Sequence, residues 1–342
     1  MRIVMVGFGV VGRALAERFI VDQNYLASNF GLKPRVVAVA DTSGALVNER
    51  GVDLKKALDA KRRLGSLAKG MPDEVKPLSS SELLDELDYD VLVETTPTNI
   101  VDGEPGLTHV KKALSMGKSV VTTNKGPLAI ALPALLELAE RNGALLRFSG
   151  TVGGGTPILD FGRMCLSGDR VVKVEGILNG TTNYILTRMY KGGLSFEEAL
   201  KEAQDAGYAE RDPTMDVEGY DTACKLVIIA NYVMGLKVTL RDVRIKGIRD
   251  VTYDVLKRLG ESGKTIKLLG VIDGEGLVVE PREVSLTDPL CVWGTLNAVT
   301  FHTEHLGSET IVGKGAGGIE TAIAVIRDLI AVKRFLMRGL GG

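Results

Sequence analysis

The sequence predicts an α/β fold: a doubly wound parallel sheet, followed by a second domain of α+β type. Three observations carry this. Short apolar runs at residues 3–6, 35–40, 91–93 and 119–122 alternate with helix-patterned stretches, the signature of βαβ units. The first run leads into Gly7-Phe8-Gly9-Val10-Val11-Gly12 and then a helix. Past Gly150 the alternation gives way to longer blocks of strand and helix, set off by the flexible bend Thr151-Val-Gly-Gly-Gly155-Thr-Pro157.

Taken in order, the run 35–40 (RVVAVA) has no polar interruption, as expected of a strand buried on both faces. Helices are expected at 13–19, 81–87 and 108–116, the last closed by Gly117 at a C-cap position. Pro133 is placed to open a further helix in its first turn, and Asn142-Gly143 to close it. In the second part a strand is expected at 171–177 and helices at 181–190, 195–205 and 221–234. Strands follow at 265–272, 277–284 and 297–302. A glycine turn, Gly313-Lys-Gly-Ala-Gly-Gly318, then precedes a long helix at 320–338. The expected division is 1–135 plus 307–342 for the first domain and 136–306 for the second.

Composition narrows the function classes. With 342 residues, 45% hydrophobic and 25% charged, the chain suits two folded domains. A net charge of −1 and a pI near 6.4 give no general attraction for nucleic acid or an acidic membrane, so neither is expected as a partner. Cys165, Cys224 and Cys291 are far apart and lack CxxC spacing, which argues against a disulfide framework or zinc site. They point to a reducing compartment. The start shows no signal-peptide pattern, and no apolar stretch approaches the ~20 residues of a spanning helix. A cytoplasmic protein is expected.

The glycine motif carries the first chemistry. Gly7 permits a tight turn, Gly9 lets the backbone approach a pyrophosphate, and Gly12 lets helix and strand pack closely. Phosphates would then lie against the free N–H groups of the helix. Because the motif follows a strand and opens a helix, residues Gly7, Phe8, Gly9, Val10, Val11 and Gly12 read as the dinucleotide site of a Rossmann-type domain, for NAD or NADP. Asp41 ends the second strand, where a carboxylate accepts from ribose hydroxyls and repels a 2′-phosphate. That leans towards NAD. Asp41 equally fits a cap on the turn at Ser43-Gly44, and Arg50 and Lys55 lie near enough in sequence to reach a 2′-phosphate.

Glu94-Thr95-Thr96-Pro97 and Thr122-Thr-Asn-Lys125-Gly-Pro127 both follow parallel strands, at the carboxyl edge where such sheets bind ligands. The hydroxyls of Thr95 and Thr96 and the amine of Lys125 suit a nicotinamide ribose and a polar substrate. The most informative stretch runs from Gly207 to Lys225. Asp221 and Lys225 share one face of an otherwise apolar helix. Two charges entering such a helix can line a cavity, where a lysine is readily desolvated and tuned for proton transfer. The same spacing also fits a surface ion pair worth about 0.3–0.5 kcal/mol. Ahead of it, Glu210, Asp212 and Asp216 form an acidic loop suited to an ammonium group.

GFGVVG, TTNKGPLA, TVGGGTPIL, GILNGTTNYIL, GYAERDPTMDVEGYDTACK and GKGAGG occur in the order in which homoserine dehydrogenases carry them. Over nearly its whole length the chain resembles a short form of that family. The resemblance implies reversible oxidation of L-homoserine to L-aspartate 4-semialdehyde with NAD(P)+, on the route to threonine and methionine. It implies a homodimer built through the second, substrate-binding domain. Lys225 would be the acid/base at the substrate oxygen, Asp221 the carboxylate that orients substrate, and Glu210 the ligand of its ammonium group. Asp216 would support them. Lys125 would lie at the cofactor–substrate junction, with Thr95 and Thr96 on the cofactor side. Asn179, Gly180 and Thr181 would shape the substrate loop, and Gly315 the C-terminal turn that returns to the cofactor.

The chemistry agrees: hydride loss at C4 with deprotonation of its hydroxyl needs a base and a positive group near that oxygen. Ser149 stands where the family has an acidic residue ahead of its monovalent-cation loop, leaving the backbone of Val152 and Gly154 as the expected sodium ligands. The helix at 320–338 leaves no room for an ACT regulatory domain, so threonine feedback through one is not expected. The alternative is another two-domain NAD(P)-dependent amino-acid dehydrogenase, against which NGTTNYIL and the stretch from Glu210 to Lys225 argue.

Overall fold

A computed structural model describes residues 1–339, with side chains through residue 337. The chain divides into two compact units, Met1–Thr151 with the chain from Gly317 onward, and Val152–Ala316. Among the described residues no helix is long and apolar enough to cross a membrane.

The first unit runs β1 (Arg2–Val6), α1 (Val10–Val21), α2 (Gln23–Phe30), β2 (Arg35–Asp41), β3 (Gly44–Val47), α3 (Leu54–Leu64), α4 (Leu67–Gly70) and β4 (Val75–Lys76). It continues with α5 (Ser80–Glu86), β5 (Val91–Glu94), α6 (Gly106–Ser115), β6 (Ser119–Thr122), α7 (Lys125–Arg141) and β7 (Leu146–Arg147). The sheet order is β4-β3-β2-β1-β5-β6-β7. From β2 to β7 neighbours are parallel, while β3 and β4 extend the β2 edge antiparallel. These two strands were not foreseen, because runs of two to four residues carry no readable period.

Side-chain alternation explains why the parallel strands read as unbroken apolar runs. Ile3, Met5, Val91, Val93 and Val121 share one core with Leu15 and Phe19 of α1. Val4, Leu92 and Val120 point the other way and are equally buried, on the side where α6 packs on β5 and β6. Pro133 lies in the first turn of a helical segment, as expected, but that segment follows a break and is the second half of a longer element. The helix α7 already starts at Lys125, capped by Asn124, and breaks at Ala131 (φ −140°). Pro133 lacks the N–H that would continue the ladder, and its ring crowds the preceding turn.

The second unit contains α8 (Ile158–Asp160), β8 (Val171–Ile177), α9 (Gly180–Gly192), α10 (Phe196–Asp205), α11 (Thr214–Val217) and α12 (Tyr220–Tyr232). It closes with β9 (Val243–Ile245), α13 (Tyr253–Glu261), β10 (Lys264–Asp273), β11 (Gly276–Ser285), β12 (Leu296–Thr303) and β13 (Ser308–Lys314). Its mixed sheet has the order β13-β12-β8-β10-β11-β9, and α9, α12 and α13 pack on β10. Gly270 of β10 is what lets α12 approach: a β-carbon there would lie 3.1 Å from Leu226 and 3.3 Å from Thr222. The chain then re-enters the first unit as α14 (Gly318–Gly339), whose Ala322, Val325 and Leu329 join the core around α1.

The units part at other points than the expected 135/136 and 306/307. Residues 136–151 stay with the first unit because β7 adds to β6 (Val120↔Leu146, Val121↔Arg147). Residues 307–316 stay with the second because β13 pairs along β12 from His302↔Ser308 to Leu296↔Lys314. Gly313 and Lys314, expected in a glycine turn, therefore belong to a strand.

Candidate active site

The glycine turn is dictated by close backbone packing. Gly7 has φ +96°, and a β-carbon on it would fall 2.5 Å from the backbone of Thr95. On Gly12 it would fall 2.3 Å from the carbonyl oxygen of Gly7. On Gly9 it would meet nothing within 4 Å, so the backbone there faces open space at the start of α1. That is the cradle a pyrophosphate needs, and the residues fit a dinucleotide. Phe8 is buried, Val11 half-buried and Val10 exposed. The hydroxyl of Thr95 donates to the carbonyl of Gly7 at 2.6 Å, joining the β5 loop to the turn.

Asp41 occupies the end of β2 as expected, but its carboxylate is turned inward. Oδ1 accepts from the N–H (2.7 Å) and hydroxyl (2.6 Å) of Ser43, and Oδ2 from Lys61 and the N–H of Leu67. Burial alone would raise its pKa, but the Lys61 and Ser43 donors outweigh it and hold the carboxyl below its ordinary value. The turn-capping reading is the one the geometry favours. Lys61, on α3, went unnoticed because nothing in the sequence ties it to Asp41 twenty residues earlier.

Thr96 and Lys125 flank a buried polar network in the same unit. Glu94 accepts from the N–H (3.0 Å) and hydroxyl of Thr96 and from the hydroxyl of Thr122 (3.0 Å). Asn124 donates to Thr96 Oγ1 (3.1 Å) and caps α7 through the N–H of Gly126 (3.0 Å). Lys125 is the first residue of that helix. Glu94, Thr122 and Asn124 were not singled out as site residues. The signal was present as an acid ending an apolar run (VLVE).

In the second unit Asn179, Asp216, Asp221 and Lys225 form one cluster. Lys225 Nζ lies 2.6 Å from Asp221 Oδ2 and donates to the carbonyl of Leu178 at 2.7 Å. Lys225 is 7% exposed and Asp221 9%, in a helix buried continuously from Asp221 to Asn231. This is no surface pair. Asn179 caps α9 through the N–H of Thr182 and donates to Asp216 Oδ1 (2.6 Å) and Asp221 Oδ2 (2.9 Å). Burial, and then the nearby charge of Asp221, push the Asp216 carboxyl above its ordinary value.

Gly180 packs against the 295 segment, since a β-carbon on it would fall 2.8 Å from the carbonyl of Thr295. Thr181 donates to the carbonyl of Tyr208 at 2.8 Å. Glu210 is exposed; its backbone carbonyl accepts from Gln204 at 3.1 Å, and among the described residues its carboxylate makes no hydrogen bond into the cluster. Gly315 lies against the side chain of Asn297, 2.2 Å from a β-carbon built on it. Gly154 (φ +54°) would meet the carbonyl of Gly315 at 3.0 Å in the same way.

A separate cavity of about 720 Å³ in this unit is lined by Arg163, Arg170, Glu304 and neighbours. There Asp169, Glu304 and His305 bring ligand-type atoms within 4.8 Å of one another. Asp169 already accepts from the N–H groups of His305 (3.0 Å) and Leu306 (2.8 Å), which makes it the cap of the β12–β13 turn.

Comparison with known proteins bears on both units. A family model described as homoserine dehydrogenase matches residues 157–330, and one described as homoserine dehydrogenase, NAD binding domain, matches residues 7–149. The homoserine dehydrogenase of Methanocaldococcus jannaschii is 45% identical over 97% of this chain and 98% of its own length. The NAD(+)-dependent homoserine dehydrogenase of Pseudomonas canavaninivorans is 37% identical over 98% of this chain and 97% of its own. Among solved structures, a hyperthermophilic archaeal homoserine dehydrogenase in complex with NADPH matches with a TM-score of 0.85 at 32% identity, covering 97% of both chains. The chain belongs to the homoserine dehydrogenases, NAD(P)-dependent oxidoreductases that act on a CH–OH group.

Proposed function

We propose that the chain oxidises L-homoserine reversibly to L-aspartate 4-semialdehyde with Lys225 as the acid/base. The observation that carries this assignment is the buried Lys225–Asp221 pair beside Asn179 and Asp216, in the unit matched by the homoserine dehydrogenase model. When bound, the nicotinamide would supply the hydride acceptor for C4. Lys225 has two of its three ammonium donors on Asp221 and the Leu178 carbonyl, which fixes its position and leaves the third for the C4 oxygen. As the ammonium it returns the proton in the reductive direction, and as the neutral amine it takes the hydroxyl proton in the oxidative one. The resulting positive charge stabilises the alkoxide-like oxygen of the transition state. Asp221 orients Lys225 and substrate. Glu210 and Asp216, with Asn179, Gly180 and Thr181, bind the amino-acid end, its ammonium group drawn to the carboxylates. Lys125 adds positive charge at the cofactor–substrate junction.

Gly7 to Gly12, Thr95, Thr96 and Gly315 would hold the dinucleotide. The preference proposed is for NAD, because ionised Asp41 ends β2 and holds Lys61 in an ion pair, so that lysine is not offered to a 2′-phosphate. Asp41→Ala should therefore lower the ratio of kcat/KM for NAD over NADP. A sodium ion is proposed at the carbonyls of Val152 and Gly154. The left-handed glycines Gly153 (φ +82°) and Gly154 (φ +54°) fold that loop tightly, and carbonyl oxygens suit a hard cation. A cytoplasmic homodimer joined through the second unit, on the route to threonine and methionine, completes the reading. Cys165, Cys224 and Cys291 are not joined in disulfides, which accords with that compartment.

The decisive assay is reduction of NAD+ or NADP+ by L-homoserine. Wild type should show it and Lys225→Ala should lose about a hundredfold or more in kcat. Absence of homoserine-dependent reduction with either cofactor sinks the function. An unchanged rate in Lys225→Ala sinks the proton-transfer role alone.

A further inference from the structure

Glu94 ends β5 fully buried, yet the reaction described above gives it no part. Its register neighbours are Val6, which leads into the glycine turn, and Thr122, which leads to Lys125. It therefore stands at the carboxyl edge of the sheet, between the two loops assigned to the cofactor.

The donor–acceptor accounting around it closes in one way. Thr96 Oγ1 gives its hydrogen to Glu94 Oε1 and accepts from Asn124 Nδ2 at 3.1 Å. Thr122 Oγ1 gives its hydrogen to Glu94 Oε2 at 3.0 Å and accepts from the Asn124 N–H at 3.0 Å. Asn124 Nδ2 also holds the carbonyl of Pro97 at 3.2 Å. The hydroxyl hydrogens of Thr96 and Thr122 have no other acceptor among the described residues, so both carboxyl oxygens accept, as those of a carboxylate do. Among the ion pairs of the described residues its partner is His109 alone. That imidazole sits with Nδ1 at 3.8 Å, without a hydrogen bond, and with Nε2 2.6 Å from Ser80 Oγ. No lysine or arginine among those pairs neutralises it. A buried, weakly compensated anion acts strongly on charge placed nearby, because little water screens it.

We propose that Glu94 is a positioning residue with an electrostatic role. Its carboxylate locks the Thr96 loop and the Asn124–Lys125 loop into one arrangement, and its charge favours the oxidised, positively charged nicotinamide over the neutral reduced ring. The proposal rests on the reading that the nicotinamide end of the cofactor lies along this edge. No residue of the proton-transfer cluster takes part.

The test is direct titration of NAD+ and of NADH, without turnover, against wild type, Glu94→Gln, Thr122→Val and Gly9→Val. Glu94→Gln keeps the shape and removes the charge, so NAD+ affinity should fall relative to NADH by about tenfold. Thr122→Val keeps the charge and removes one tie, so both dissociation constants should rise together and their ratio stay put. In steady state the Thr122→Val change should appear in the KM for cofactor more than in kcat. A wild-type NAD+/NADH ratio in Glu94→Gln overturns the electrostatic role. Unchanged dissociation constants in Thr122→Val overturn the positioning role. Gly9→Val, whose side chain enters open space, should block the dinucleotide while leaving the fold intact. If it binds NADH as wild type does, the placement of the cofactor fails rather than the role of Glu94.

Discussion

Lys267 shows how a single side chain carries information that spacing does not. It sits on β10 at 1% exposure, with Nζ on Asn183 Oδ1 (2.8 Å) and the carbonyl of Val292 (2.6 Å) and 4.2 Å from the centre of the Trp293 ring. Burial pushes its pKa down from 10.5 to about 8. The unfolded chain then binds more protons between those values, so this group makes the fold more stable as pH rises from about 8 to 10.5. The contribution is lost as pH falls through 8. Urea unfolding of wild type should show a gain on the order of 2–3 kcal/mol across that window, and Lys267→Met should flatten it. In the sequence Lys267 is one lysine inside a strand-like run, and nothing there says it is buried. Lys225 was legible by contrast, because its helix is apolar all round and its partner lies one turn away. Asp41 was legible as a strand-ending acid but not in its direction, since Lys61 reaches it only through the packing of α3.

At the scale of elements, the N-terminus of α9 does two jobs at once. Asn179 caps the helix through Thr182 (2.8 Å) and holds Asp216 and Asp221 together against their mutual repulsion. Asn179→Ala should cost about 1 kcal/mol of stability for the lost cap. It should also raise the KM for homoserine severalfold while leaving the dissociation constant for NADH as it was. Steady-state kinetics beside a cofactor titration will check this, and a change confined to stability would refute it. The helix expected at 181–190 begins at Gly180, and its cap is Asn179, which the sequence suggested only as part of the substrate loop. The kink of α7 was less legible. The sequence offers Pro133 as a helix opener, and only the capping of Lys125 by Asn124 shows that a helix had already begun.

For the whole molecule, α14 matters most, because it returns the end of the chain to the core of the first unit. Leu329 is fully buried there with Leu15 and Phe19. Leu329→Ala should destabilise the first unit by about 2–4 kcal/mol, read as an earlier thermal transition that NADH partly restores. An unchanged transition would place α14 outside that core. By itself the sequence determined the local matter: strand runs buried on both faces, the glycine turn, the helix end at Gly117 and the i, i+4 pair on an apolar helix. Each follows from a period, a steric need or a spacing within a few residues, and so does the motif order that resembles the family. Tertiary structure alone decided where the units part, which way Asp41 faces, and that Glu94 joins two loops from separate strands. Those depend on strand pairing and on donors tens to hundreds of residues away, and the pairing energy of such contacts leaves no local pattern to read.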